Sequence, residues 1–256
     1  MREVRMMPQK KPAPPASRSG GNGPVFLNNR ILLSLPDAER ASLLPKLQFT
    51  PLPTHTMLNE ATETIEFAYF INSGLASVLN VMNDGKSVEV GLAGKEGFIG
   101  LPLIAGYVTS STRVVMQVGG DGYKVKAKDI QAVLPHCPRL FLGLNRFSQE
   151  LGMQATQLAA CNRLHEVSER LARWLLMSQD RLGGDNVPLT QEYLAHMLGT
   201  RRASVTVAAG ALQKAGLITY RHGEVNIRNR TKLKQASCEC YKSLTEQSAK
   251  WQNETA

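Results

Sequence analysis

The chain has 256 residues, 43% of them hydrophobic, and a formal net charge of +9. Such a length accommodates two domains with separate cores, and no run approaches the roughly 18 consecutive apolar residues that a membrane helix needs, which excludes a helical membrane span. The N-terminus has no apolar segment of signal-peptide type, so a cytoplasmic location is expected, and the basic balance fits a polyanionic partner. Four cysteines, Cys137, Cys161, Cys238 and Cys240, are too few and too irregularly spaced for a disulfide framework and are expected as free thiols.

In chain order, residues 1–25 are rich in Pro, Gly, Ser and basic side chains, with little to bury, and are expected to be a disordered basic tail. A short helical pattern follows from Asn28 to Leu47, started by Leu35-Pro36-Asp37, with Leu43, Leu44 and Leu47 on one side. From Pro51 to Lys128 the texture turns to short β-rich runs. Glu66–Ile71 ends at Asn72-Ser73-Gly74. Ala76–Met82 ends at Asn83-Asp84-Gly85, a hairpin signal, and Ser87–Leu92 follows. Gly94, Gly97 and Gly100 then surround Phe98-Ile99, and Arg113–Val118 and Tyr123–Ala127 close the set. Strands at this spacing predict a sandwich or barrel.

The period becomes helical at Pro138. Leu140, Leu144, Phe147, Leu151, Gln154, Leu158 and Cys161 are spaced alternately by four and three, a heptad seam about three repeats long. A parallel homodimer through this seam is expected, with Gln154 fixing the register; packing against the chain's own domain explains part of the stripe. A second helix, Leu164 to about Arg181, places Leu164, Val167, Leu171, Trp174 and Leu175 on one face, and Gly183-Gly184 then serves as hinge or turn.

Thr190 to Leu217 reads as two short helices around Gly199, a helix-turn-helix. Thr190 is suited to cap the first helix, with Gln191 and Glu192 in its first turn. Gly199 supplies the left-handed conformation that ends it. The second helix buries Val205, Ala208, Ala209 and Leu212 and leaves Arg201, Arg202, Ser204 and Thr206 near its exposed start, where such motifs enter the major groove. An ordinary helical hairpin in a core is the bland alternative. Against it stand a following pair of β-rich runs around Arg221-His222-Gly223 and eight basic residues against one acid between Arg201 and Lys234. Neutralising phosphates is the simplest use of that field.

The segment Glu96-Gly97-Phe98-Ile99-Gly100, the long helix, the run Val167–Leu176, and Leu189-Thr190-Gln191-Glu192 opening the helix-turn-helix together resemble the cyclic-AMP receptor/FNR (Crp/Fnr) family of bacterial transcription regulators. The resemblance covers residues 28 to 230. It implies an α+β chain with an N-terminal cyclic-nucleotide-binding-like β jelly-roll, a long dimerisation helix and a C-terminal winged helix-turn-helix. The corresponding domains are 26–136, 137–162 and 163–234, with a C-terminal tail at 235–256. It further implies a double-stranded, palindromic DNA operator, a homodimer, contact with RNA polymerase, no membrane partner and no enzymatic activity. Its DNA-binding positions fall on Thr190, Gln191, Thr200, Arg201, Arg202, Ala203, Ser204, Thr206, Arg221 and His222. Arg202 stands where the family reads guanine; Ala203 and Val207 depart from its usual Glu and second Arg, so a different target is expected.

The effector pocket expected by the same likeness comprises Gly100, Leu101, Pro102, Ser111, Thr112, Arg113 and Thr156. Cyclic-AMP-binding members carry a Gly-Glu pair and an Arg-Ser pair; here Leu101-Pro102 and Ser111-Thr112 occupy those places, so cyclic AMP has no carboxylate or arginine to pair with. The effector ligand is unassigned and no cofactor is expected. Absence of cysteine before Cys137 removes the iron–sulfur mode, and a haem ligand would have to be His55 or His136. Cys238-Glu239-Cys240 lack two further ligands at suitable spacing, so no metal site is expected. Two other readings are a jelly-roll scaffold and a cupin-like enzyme, each with an incidental helix-turn-helix.

Overall fold

The computed structural model describes residues 26–254 apart from His222, so the expectation for 1–25 lies outside the described residues. Asn29 opens the fold: its carboxamide oxygen accepts from Ile31 and Leu32 N–H, capping α1 (Arg30–Leu33), while its Nδ2 donates to Ile71 and Gly97 carbonyls at 2.8 Å each. Helix α2 (Asp37–Leu43) follows Pro36, whose fixed φ suits a helix start.

Eight strands come next: β1 (Gln48–Leu52), β2 (Met57–Asn59), β3 (Phe67–Ile71), β4 (Leu75–Val81), β5 (Ser87–Ala93), β6 (Phe98–Ile99), β7 (Arg113–Val118) and β8 (Gly120–Lys126). They form two antiparallel sheets, β1-β8-β3-β6 and β2-β7-β4-β5, with Phe70, Phe98, Val114, Met116 and Val125 buried in their core. Strands β1 and β2 carry no alternating signal in the sequence, because Pro51 interrupts one and each buries a single side chain, Leu52 or Leu58. The Asn83-Asp84-Gly85 turn is where it was expected, with Met82 N–H donating to Lys86 O at 2.8 Å.

Helix α3 (Ala127–Val133) leads into the long α4 (Pro138–Leu164). The start of α4 is capped from far away: the Glu39 carboxylate accepts from the N–H groups of Arg139 at 3.0 Å and Leu140 at 2.9 Å. A negative group on the positive end of a helix dipole satisfies orphan donors. Glu39→Ala is expected to lower stability by about 1–2 kcal/mol in urea denaturation, and an unchanged midpoint would contradict this role.

The heptad seam on α4 is occupied by the chain itself, which corrects its assignment to a dimer. Leu140, Leu144 and Phe147 are buried in the jelly-roll core, and half-buried Leu151 packs against it. Leu158 and Cys161 are also buried, and the Gln154 Oε1 accepts from the Leu92 N–H at 3.2 Å, so this residue satisfies β5 rather than a partner helix. The face of α4 that stays exposed carries Phe141, Leu142, Asn145, Gln149, Gly152 and Thr156.

Beyond α4 the chain builds a second core. Its elements are α5 (Val167–Leu182), β9 (Asn186–Pro188), α6 (Gln191–Met197), α7 (Arg202–Lys214), β10 (Ile218–Arg221), β11 (Glu224–Ile227), α8 (Arg230–Ala236) and α9 (Cys240–Asn253). A Glu166/Glu169 capping box starts α5, which buries Leu171, Trp174 and Leu175 as its spacing predicts, with Val167 half-buried beside them. Leu164, expected on the same face, is instead the last residue of α4 and is exposed, because the chain leaves the helix at His165. The three-stranded sheet runs β10-β11-β9. The segment expected as a C-terminal tail is instead folded: Cys240, Tyr241 and Leu244 are buried along α9, and Tyr241 Oη donates to Asp180 at 2.9 Å. Those apolar positions share a helix face, a pattern that sequence reading passed over.

Candidate nucleic-acid interface

Thr190 caps α6, its hydroxyl accepting from the Tyr193 N–H at 3.4 Å. Gly199, at φ +56°, makes the turn, a backbone state that side chains bearing a Cβ rarely adopt, and Thr200 N–H closes it onto Ala195 O at 3.0 Å. Helix α7 then crosses with Val205, Ala208, Ala209 and Leu212 buried. A side-chain bond locks the crossing: Thr206 Oγ1 donates to Gln191 Oε1 at 2.8 Å.

This packing sorts the expected DNA contacts by role. Arg201, in the extended conformation that precedes α7, and Arg202 and Ala203 in its first turn are exposed; Ser204 is half-buried and Thr206 exposed. Gln191 and Thr200 are half-buried beside them, and Arg221 stands exposed at the end of β10, next to the wing tip. His222 lies outside the described residues. Val207, one turn beyond Ala203, is 74% exposed although apolar. Its residue type shows only a departure from a family arginine; its exposure on the same helix makes it a candidate contact position.

Besides apolar packing of Leu75, Leu79 and Leu92 in the second core, polar and ring contacts join this unit to the jelly-roll. Glu89 of β5 is wholly buried and accepts from Ser77 Oγ at 2.7 Å and from the Trp174 indole N–H at 2.8 Å. Burial pushes its carboxyl up to about 7, with the two hydrogen bonds opposing. Arg181 Nε donates to Glu96 Oε1 at 2.8 Å, and His55 stacks on Tyr193 with ring centroids 4.5 Å apart. The β4–β5 turn also faces α6 and α7 across a groove of about 980 Å³ lined by Asp84, Lys86, Val88, His196 and Arg201.

The expected effector pocket is nearly filled. Gly100, Leu101, Pro102 and Thr112 do line a common cavity between the sheets and α4, but its volume is about 40 Å³, closed by Phe98, Phe147 and Leu151. Ser111, Arg113 and Thr156 take no part in it. Arg113 turns away and its Nε pairs with both oxygens of Glu60 at 2.9 and 3.0 Å, holding that carboxyl below its ordinary range. Thr156 is exposed on α4, its hydroxyl donating to Gly152 O. A larger cleft of about 490 Å³ lies between α4, α5 and α9, with charges of both signs at Arg30, Glu96, Arg146, Glu150 and Arg181.

A separate cluster corrects the expectation that Cys238 and Cys240 lack companions. Cys161 at the end of α4 and His165 after it come to the turn between α8 and α9, so that the ligand atoms of Cys161, His165, Cys238 and Cys240 all lie within 4.8 Å of one another. Cysteine spacing could not show this, because the two halves are 77 residues apart.

Residues 169–236 match the Crp-like helix-turn-helix domain. Among solved structures, FixK2 from Bradyrhizobium japonicum is similar at 15% identity and a TM-score of 0.65, over 75% of this chain and 98% of that one. The c-di-GMP responsive global regulator CLP of Xanthomonas campestris matches at 18% identity and a TM-score of 0.62, over 75% and 99% of the two chains. A CRP-family transcriptional regulator from Thermus thermophilus matches at 18% identity and a TM-score of 0.60, over 73% and 96%. No curated protein matches the chain. These identities are low, and the likeness is one of fold.

Proposed function

We infer, for a chain that belongs by its matched domain and its fold to the Crp/Fnr family, that it is a homodimeric, sequence-specific DNA-binding transcription regulator. The observation that carries this reading is the exposed, arginine-tipped start of α7, held on a helix-turn-helix whose buried face is complete. Arg202 has a fork of donors matched to guanine O6 and N7. Val207 offers an apolar surface of the kind that meets a thymine methyl. Arg201, Thr200, Gln191 and the wing residue Arg221 sit around them where phosphates would pass.

A palindromic operator requires a second copy. The face of α4 bearing Phe141, Leu142, Asn145, Gln149, Gly152 and Thr156 supplies the pairing surface, in place of the seam already buried in the chain. Two copies paired there would set recognition helices in successive major grooves about 34 Å apart. RNA polymerase contact and a cytoplasmic location belong to the same reading; no helix among the described residues is long and apolar enough to cross a membrane.

The effector domain of this regulator does not take cyclic AMP. A cavity of about 40 Å³ holds a water molecule or so, against the roughly 300–1,000 Å³ of ordinary ligand sites. The arginine nearest the family position is already paired to Glu60. Calorimetric titration with cyclic AMP is expected to give no binding heat, and micromolar affinity would overturn this part of the account. A cupin-like enzyme would need histidines converging on the barrel; His55 is stacked on Tyr193 and His136 is exposed beyond α3.

Gel-shift titration against the protein's own upstream DNA at rising salt tests the DNA-binding reading. Retention of one fragment over others, with affinity falling steeply in salt, is the expected result. Equal retention of every fragment would contradict it.

A further inference from the structure

We propose that Cys161, His165, Cys238 and Cys240 form a tetrahedral Zn²⁺ site that fastens the C-terminal helix α9 to the foot of α4. Cys161 Sγ and Cys238 Sγ are 3.5 Å apart, and Cys240 Sγ and His165 Nδ1 are 3.6 Å apart. A zinc ion with Zn–S of about 2.3 Å and Zn–N of about 2.0 Å at a tetrahedral centre sets neighbouring ligand atoms about 3.5–3.8 Å apart. Two of the six edges already have that length, and all four ligand atoms lie within 4.8 Å of one another.

The surroundings are those of a metal site rather than of ordinary core thiols. His165 Nε2 lies 3.0 Å from Glu239 Oε2, which fixes that nitrogen as the protonated one and leaves the Nδ1 lone pair facing the sulfurs. Carboxylate, imidazole and metal in series are the usual way such a ligand is oriented. Gln157 Nε2 donates to Cys240 Sγ at 3.1 Å, a bond that suits a thiolate ligand. All three cysteines are buried, at 0–4% exposure, in a small cluster of their own.

Charge is compatible with such a site. Arg173 and Arg170 are buried, at 2% and 6% exposure, and although Arg170 donates to Asn162 Oδ1 and Leu198 O and Arg173 to Met177 Sδ, the Nε of each has no hydrogen-bond partner. Buried cations gain from a negative neighbour. Three thiolates around Zn²⁺ carry a net charge of −1. The oxygen-free, sulfur-rich donor set favours zinc over calcium or magnesium. Binding forms three Zn–S bonds and one Zn–N bond, and the three thiol protons pass to solvent.

The site's position gives it a consequence. Cys161 and His165 bracket the junction from which the DNA-binding unit departs, and Cys238 and Cys240 bracket the turn that follows α8. Zinc there would hold α8 and α9 against α4 and α5 and so fix the bearing of the helix-turn-helix.

The test uses the full chain purified under reducing conditions, loaded with ZnCl₂ and dialysed. Elemental analysis should find one zinc per chain, and Co²⁺ in its place should give the visible absorption of a tetrahedral thiolate complex. Cys161→Ser and Cys238→Ser should lose the metal, and Cys137→Ser, whose thiol lies outside the cluster, should keep it. Because Cys161→Ser carries its own risk of misfolding, the Co²⁺ spectrum of the unaltered chain stands as a second readout. Substoichiometric zinc with the three cluster thiols, Cys161, Cys238 and Cys240, open to alkylation after loading would overturn the proposal. So would a Cys161–Cys238 disulfide that persists in reductant, or equal metal in Cys137→Ser and Cys238→Ser. None of these readouts depends on DNA, so failure here would leave the regulator reading intact.

Discussion

Replacing Arg202 by alanine is expected to weaken binding to the cognate site by about 1–3 kcal/mol, roughly 5- to 150-fold, while random-sequence DNA is held nearly as before. The asymmetry follows from what each contact reads. A guanidinium placed in the groove loses its base when truncated, and the loss appears only where that base is present. Arg201, one residue earlier and outside the helix proper, is the residue we assign to the phosphate backbone. Arg201→Ala should therefore weaken cognate and random DNA alike and reduce the salt slope by about one. Fluorescence anisotropy on the two duplexes at several salt concentrations measures both. Equal losses for Arg202→Ala on the two duplexes would make it a phosphate contact.

The largest stability effect is expected at Trp174. Its side chain is among the largest wholly buried ones in the molecule, and it bridges the second core to β5 of the jelly-roll through Glu89. Trp174→Ala should cost about 3–5 kcal/mol from lost burial and the cavity left behind. Trp174→Phe keeps most of the burial but removes the N–H donor, so Glu89 would hold its proton still more tightly.

The same carboxyl makes stability depend on pH. Glu89 titrates near 7 in the folded chain against 4.5 when exposed. Between those values the native state binds the extra proton, so this group's contribution falls as pH rises from about 4.5 to 7 and is level above it. The decline is at most about 3 kcal/mol. Glu89→Gln should abolish it and gain stability at pH 8. Denaturation of both chains across this range decides the matter, and parallel pH profiles would remove Glu89 as the cause.

The recognition unit was legible because its signals are local. Gly199 turns within a few residues of the apolar positions it serves, and Val205, Ala208, Ala209 and Leu212 recur at helical spacing whatever surrounds them. The β4–β5 turn was legible for the same reason. Long-range pairing was not. Glu39 caps a helix 100 residues away, and Cys161 meets Cys238 across 77, distances that no local pattern encodes. The α4 stripe shows a different limit: periodicity revealed a buried face but not whether a partner helix or the chain's own sheets would bury it. Leu140 and Leu144 face the jelly-roll. Likewise, of the seven residues expected at an effector pocket, Gly100, Leu101, Pro102 and Thr112 share a cavity and Ser111, Arg113 and Thr156 do not, and the cavity's volume depends on how far Phe98, Phe147 and Leu151 lean inward, which residue identity alone does not fix.

The central claim is that two copies of this chain present Arg202 to base edges at a fixed separation. Selection of bound duplexes from a random pool by the full-length protein tests it most directly. The account predicts enrichment of an inverted repeat with half-site centres about 10 base pairs apart, containing guanine at the Arg202 position and lost in Arg202→Ala. A bound pool as random as the starting one, or an enriched single half-site held by one copy, would contradict it.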